Sequence, residues 1–110
     1  APQRISKKSM FPSVELLPGM ILSNEPGYYK EGEYGIRIEN IIVVKEDIKN
    51  QLKFENISWA PIDRELIDSA MLNKEELNWI NDYHLKVFEK ISKFLTQEEK
   101  NWLQKVTKPL

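Results

Sequence analysis

The chain has 110 residues, of which 41% are hydrophobic and 30% charged, a composition typical of one soluble globular domain or part of one. Its 16 basic and 17 acidic residues give a net charge of -1 without a basic stripe, and no apolar run approaches membrane-spanning length, so neither nucleic acid nor a membrane is expected as a partner. The absence of cysteine excludes disulfides, thiolate metal sites and cysteine nucleophiles, and it fits a cytoplasmic location.

The first half of the chain predicts β-structure. Residues 1–19 are rich in proline and polar residues, which predicts connecting structure. Residues 20–24 and 36–44 are rich in Ile, Leu and Val and predict two strands of a hairpin with a long, irregular tip. Three glycines are expected to mark turning points in that tip: Gly27, Gly32 and Gly35. Alternating residues in 51–58 predict a third strand with one wet face.

The second half predicts helices. Asn73 followed by Glu76 forms a capping-box pattern and begins a helix expected to run to about Phe94. Its apolar stripe is Leu77, Ile80, His84, Val87 and Ile91. Thr96 and Glu99 repeat the cap signal and predict a short last helix. The fold class is therefore α+β, with a β-rich region at residues 1–58 and a helical segment at residues 59–110.

Two acidic residues on the hairpin are candidates for metal binding. Side chains alternate along a strand, so Arg37 and Glu39 share one face, and a buried charge there needs a partner or a cation. If residues 21–25 pair with 36–42, Glu25 and Glu39 project into the same space, where carboxylates suit manganese, magnesium or zinc. The alternative is an ordinary turn residue at Glu25 and an ion pair between Glu39 and Arg37 or a lysine.

Other residues with reactive or aromatic side chains are expected to pack. His84 lies within the apolar stripe of the long helix, where a hydrogen-bonded packing histidine is commoner than a ligand or a base, and the chain has no second histidine. Four aromatic residues are expected in the core or at a subunit interface: Trp59, Trp79, Tyr83 and Trp102. No catalytic nucleophile, acid or base is predicted within the chain.

Residues 17–29 (LPGMILSNEPGYY) and 35–40 (GIRIEN) resemble, in order, the last third of aminopeptidase P, the Xaa-Pro aminopeptidase family. The resemblance continues at residues 59–63, 66–67, 79–84 and 102–103, which are similar to the C-terminal segment of the larger, cytosolic members. It implies the C-terminal portion of a pita-bread catalytic domain, with a β-hairpin and small antiparallel sheet followed by C-terminal helices.

The resemblance also implies a metal centre and a reaction. The family holds two divalent ions, usually manganese, with two Asp, one His and two Glu as ligands. Glu25 matches the Glu that binds one ion, and Glu39 matches the Glu that bridges both. A hydroxide between the metals attacks the peptide bond preceding proline, which removes the N-terminal residue from peptides whose second residue is proline. Tyr29 and Arg37 match positions that orient the ligands and line the substrate site.

The family's Asp and His ligands precede the matched region, and His84 matches a position that is not a ligand. The resemblance therefore implies that these residues contribute to the peptidase but are inactive alone. In the larger members the C-terminal part takes part in dimer formation, so a homodimer is expected. The alternative function is a non-catalytic dimerisation or binding module.

Overall fold

The computed structural model describes residues 14–48 and 50–110. The chain divides into two compact units, with the boundary between Ser58 and Trp59. Most of the segment predicted to be connecting structure, residues 1–13, lies outside the described residues.

The first unit contains five strands. They are β1 (Ile21–Asn24), β2 (Gly27–Lys30), β3 (Tyr34–Arg37), β4 (Asn40–Glu46) and β5 (Leu52–Asn56). β1, β4 and β5 form an antiparallel sheet with β4 in the middle, while β2 and β3 form a two-stranded antiparallel ladder. Leu22, Ile42 and Val44 are buried on one face of the three-stranded sheet, with Leu16 and Met20 packed against them.

The predicted strand at residues 36–44 is interrupted, because β3 ends at Arg37 and β4 begins at Asn40. The facing arm is interrupted at the same level, between Asn24 and Gly27. Pro26 explains the break, since it has no N–H to complete a pair of ladder hydrogen bonds. One bond remains, in which the Ile38 N–H donates to the Pro26 carbonyl at 3.2 Å.

The hairpin tip is shorter than the sequence predicts. β2 and β3 extend towards each other and leave only residues 31–33 as the turn, in which Gly32 has a φ of +72°. Gly27 and Gly35 lie inside strands, so the prediction that they mark turning points is wrong. The lack of a side chain at both positions leaves room for the ring of Tyr29.

β5 forms where the sequence predicts a third strand, but neither of its faces is buried. Phe54 pairs with Val44, so it lies on the face that carries the small core. Even so, Leu52 and Phe54 are each 48% exposed. The alternation correctly predicted the strand, whereas the expected dry face is only half covered among the described residues.

The second unit is helical. It contains a 3-10 turn (Ser69–Met71), α1 (Lys74–Ile91), a second 3-10 turn (Ser92–Phe94) and α2 (Gln97–Val106). Both predicted capping boxes form, since Asn73 and Thr96 each accept from the backbone of the Glu three residues later. The helix expected to reach Phe94 changes to 3-10 geometry after Ile91. Neither helix in the described part of the chain is long and apolar enough to cross a membrane.

The core of the helical unit is built on α1 and α2. Its buried apolar residues are Ile62, Ile80, Tyr83, Val87 and Leu103. Tyr83 stacks between Trp59 and Trp79, with ring centroids 6.1 and 5.5 Å away, and its hydroxyl donates to the Ala60 carbonyl at 2.8 Å. Packing of Tyr83 agrees with the sequence prediction. Trp102, in contrast, is 57% exposed, so packing within this unit covers less than half of it.

Candidate metal-binding carboxylates

The break in the hairpin places Glu25 and Glu39 opposite each other. Asn24 pairs with Asn40 on one side of the break, and Gly27 pairs with Arg37 on the other. Two residues lie between these pairs on each arm, so the register continues through the break with Glu25 facing Glu39. Directly opposed residues of an antiparallel pair project from the same face. The expected proximity of the two carboxylates is therefore present.

Arg37 lies between the two carboxylates and contacts both. Its Nη1 is 3.3 Å from Glu25 Oε2, and its Nη2 is 3.1 Å from Glu39 Oε2. Opposed like charges on neighbouring strands destabilise a sheet, and a shared guanidinium offsets that repulsion. The side chains are 37–48% exposed, so solvent reaches the site and weakens these ion pairs.

Two hydroxyl groups complete the polar contacts of this cluster. Ser23 Oγ donates to Glu25 Oε1 at 2.7 Å, so both oxygens of that carboxylate are engaged. A hydrogen bond between Arg37 and Tyr29 is the main cause that raises the pKa of Arg37, and the negative charges of Glu39 and Glu25 raise it further. Tyr29 and Arg37 are thus connected to both candidate ligands, while the role of Ser23 gave no signal in the sequence.

The ion pair between Glu39 and Arg37 is the contact that the alternative interpretation expected. This ion pair is compatible with cation binding at Glu39. Divalent cations bind carboxylate oxygens, and the ion pair with Arg37 involves one of the two oxygens, Oε2. Six or more oxygen ligands are usual for such cations, however, and two carboxylates supply fewer. In the described part of the chain no three His, Asp or Glu side chains gather to hold a metal ion. The donor set thus fits a contribution to a metal site.

A ladder of asparagines fixes the other face of the same region. Asn24 Nδ2 donates to Asn40 Oδ1 at 2.9 Å, and Asn40 Nδ2 donates to Asn56 Oδ1 at 2.7 Å. Asn40 is only 5% exposed. These bonds tie β1, β4 and β5 together next to the break, where the backbone ladder is incomplete. The ladder has no local signal in the sequence, because it depends on a register that connects residues 16 positions apart.

His84 lies in the helical unit and is completely buried. Its Nε2 accepts a hydrogen bond from the Ile62 N–H at 3.1 Å, so Nε2 carries no proton. Burial lowers the pKa of His84, and the charge of Arg64 lowers it further. This geometry is that of a neutral packing histidine, as the sequence analysis expected.

Comparison with known families assigns this chain to a class of metallopeptidases. Residues 2–46 match the model of metallopeptidase family M24, and residues 50–110 match the model of the C-terminal region of peptidase M24. The second match alone covers more than half of the chain. The chain therefore belongs to the M24 peptidase family and corresponds to its C-terminal part.

Individual relatives narrow the class to aminopeptidase P. A probable Xaa-Pro aminopeptidase P of Talaromyces marneffei is 42% identical over 99% of this chain, which spans 18% of that protein. The corresponding protein of Coprinopsis cinerea is also 42% identical over 99% of the chain and 19% of its own length. The similarity to aminopeptidase P seen in the sequence is confirmed. The chain spans less than one fifth of these relatives.

A solved relative has the same fold. It is the X-prolyl aminopeptidase of Caenorhabditis elegans, described as a cytosolic enzyme with a di-nuclear active site. The TM-score is 0.79 with 32% identity, over 91% of this chain and 18% of that one. Together with the small antiparallel sheets and the helices that follow, this confirms the predicted fold class, the C-terminal portion of a pita-bread domain.

Proposed function

We propose that this chain supplies two carboxylate ligands, Glu25 and Glu39, to the metal centre of an Xaa-Pro aminopeptidase. The observation that carries the proposal is the placement of the two carboxylates opposite each other at a break in the hairpin. Membership of the M24 family and the di-nuclear site of the worm relative support two metal ions in the complete enzyme. Manganese is the proposed metal, and the cytosolic relative supports a cytoplasmic location.

In this proposal Glu25 and Glu39 would hold the two ions, Glu25 as a ligand of one ion and Glu39 as a ligand shared by both. The remaining ligands, two Asp and one His, come from chain outside these 110 residues. The two ions would supply an activated water for hydrolysis of the peptide bond before proline, and the N-terminal residue would be released from peptides with proline second. Residues 1–58 form the end of the catalytic domain, and residues 59–110 form its helical C-terminal segment.

The chain's own residues orient and balance the charge of the carboxylates. Ser23 donates to Glu25 Oε1, while the other oxygen of Glu25, Oε2, accepts from Arg37. Arg37 contacts one oxygen of each carboxylate, which keeps the two groups apart at a fixed spacing before a cation arrives. Tyr29, bonded to Arg37, limits the guanidinium to that position.

The test is the replacement Glu39→Gln in the complete enzyme that carries this segment. Loss of a bridging carboxylate is expected to lower manganese content below two ions per chain and to abolish hydrolysis of an Xaa-Pro peptide. Glu33→Gln is the matched control. It removes the same charge from the hairpin tip, where Glu33 pairs with Lys30 at 2.7 Å, and should leave both measurements unchanged. Full metal content and activity in Glu39→Gln would refute the proposal.

The 110-residue chain alone is expected to be inactive, because two carboxylates cannot hold a dinuclear centre tightly. After desalting it should neither retain stoichiometric manganese nor hydrolyse an Xaa-Pro peptide. Metal analysis and a peptide assay on the purified chain measure both. Robust hydrolysis would show that the catalytic groups lie within these residues.

A second candidate function is self-association through the helical unit, as a dimerisation or binding module. The observation that favours it is the 57% exposure of Trp102, a large aromatic residue of the type that anchors subunit interfaces. Trp102→Ala should shift the complete protein from dimer to monomer in sedimentation analysis. Gln104→Ala, on the opposite side of α2, is the control. An unchanged dimer in Trp102→Ala would exclude this surface.

A further inference from the structure

We infer that Gly27 and Gly35 are positioning residues for the carboxylate pair, and this inference rests on the proposed function. Both glycines leave room for the ring of Tyr29, which lies across them and bonds to Arg37. Through Arg37, the position of this ring reaches Glu25 and Glu39. The glycines themselves contact neither carboxylate, so their effect on the site is indirect.

The strand register brings the three residues together. Tyr29 pairs directly with Gly35, and Gly27 lies two residues before Tyr29 on the same strand. All three therefore share the face of the ladder that also carries Arg37. An aromatic ring that covers a facing glycine is a known way to stabilise a strand pair at a position without a side chain.

The ring is so close that neither glycine position has space for a methyl group. A Cβ at Gly27 would lie 2.8 Å from Tyr29 Oη, and a Cβ at Gly35 would lie 2.7 Å from Tyr29 Cδ1. Both distances are shorter than carbon atoms tolerate without a shift of the ring. The contact at Gly27 involves Oη itself, the polar atom of the side chain that is hydrogen-bonded to Arg37.

Backbone conformation gives no reason for glycine at these two positions. Positive φ angles occur at Gly19 and Gly32, but at neither Gly27 nor Gly35. An alanine at position 27 or 35 would therefore be acceptable to the backbone, and only the ring of Tyr29 opposes it. This distinction makes Tyr29 the variable to change in a test.

The link from the ring to the carboxylates follows from contacts already described. A side-chain hydrogen bond joins Tyr29 to Arg37. Arg37 is the register partner of Gly27 and contacts both carboxylates, at 3.3 and 3.1 Å. A methyl group at position 27 or 35 would lift the ring, move Oη away from Arg37 and loosen the guanidinium between Glu25 and Glu39.

The test is a double-mutant cycle in the complete enzyme, with Gly35→Ala and Tyr29→Ala combined. In the unsubstituted background, Gly35→Ala should weaken manganese binding about 10-fold, as expected when a group that orients a ligand is displaced. In the Tyr29→Ala background the same change should have no effect, because the obstructing ring is gone. Isothermal titration with manganese gives the affinities. Gly27→Ala should behave in the same way.

Gly32→Ala is the control for a glycine replacement in the same hairpin. Gly32 has a φ of +72° and no atom within 4 Å of an added Cβ, so its cost comes from the backbone alone. Its effect on stability should be the same with and without Tyr29, and manganese affinity should not change. Equal effects of Gly35→Ala in both backgrounds, or no effect on manganese affinity in either, would overturn the inference.

A second measurement separates this inference from the proposed function. The unfolding temperatures of the same four variants are also measured in the metal-free enzyme. This measurement tests only the steric contact between the ring of Tyr29 and a Cβ at position 35. Failure of the unsubstituted enzyme to bind manganese would refute the proposed function and the indirect role in metal binding. The steric contact is then decided by the unfolding temperatures: coupling between positions 29 and 35 supports it, and additive effects overturn it.

Discussion

His84 should make the stability of the helical unit sensitive to pH. It is the only histidine of the chain, is completely buried, and accepts the Ile62 N–H through Nε2. Its Nδ1 is buried without a hydrogen-bond partner among the described residues. A second proton would have to displace the Ile62 bond, and the resulting charge would be buried near Arg64. The folded state therefore favours neutral His84 and lowers its pKa from the usual 6.5.

The sign of the effect follows from this lowered pKa. Above about pH 7.5 His84 is almost entirely neutral in both states and contributes little pH dependence. Below that value the unfolded chain takes up the proton first, so the free energy of unfolding falls as the pH falls, until the folded state is protonated as well. Uptake of a single proton by the unfolded chain can lower the free energy of unfolding by at most about 1.4 kcal/mol between about pH 7.5 and 5.5.

Urea unfolding of the 110-residue chain, followed by far-UV circular dichroism, measures this loss for the helical unit. The comparison variant is His84→Gln, whose amide oxygen can still accept a hydrogen bond but does not titrate. The wild-type chain should lose more stability than His84→Gln over the two pH units, by an amount that linkage limits to about 1.4 kcal/mol. Carboxylates contribute equally to both chains and cancel in the difference. The same loss in both chains, or a gain of wild-type stability on acidification, would refute the reasoning.

Replacements at four positions test the packing, each by urea unfolding. Asn40→Ala removes both bonds of the asparagine ladder and should lower the free energy of unfolding by about 2 kcal/mol. Asn24→Ala removes one bond and should cost about half as much. Equal costs would contradict the ladder. Val87→Ala, at a completely buried site of α1, should cost about 2 kcal/mol, and a cost near zero would place Val87 outside the core. Thr96→Ala should cost about 1 kcal/mol through loss of the α2 cap, with Thr96→Ser as the tolerated control.

The helical unit was largely predictable because its signals are local. The capping boxes at Asn73 and Thr96 involve residues three positions apart, and each helix begins where its box predicts. The buried face of α1 follows the spacing of Ile80, His84 and Val87. Tyr83 lies outside the predicted stripe, because its burial depends on contacts with Trp59 and Ala60, more than 20 residues earlier in the chain.

The hairpin was less predictable because its details depend on register. Hydrophobic residues from Ile36 to Val44 indicate a strand, but the break at Glu39 follows from Pro26 on the other arm. In the same way, Gly27 and Gly35 suggest turns when considered singly. Only the pairing of Tyr29 with Gly35 shows that a ring occupies the space where side chains would lie. The asparagine ladder is hidden for the same reason.

Stability alone does not account for the arrangement around Arg37. Solvent-exposed ion pairs contribute about 0–1 kcal/mol each, so two such pairs barely offset the repulsion between opposed carboxylates. An ordinary ion pair would need Arg37 and Glu39 only. Glu25 adds a second negative charge opposite Glu39, at a break in the ladder where backbone bonding is already lost. Its placement adds little stability to the hairpin, yet it gives two carboxylates on one face, the arrangement that the proposed shared cation requires.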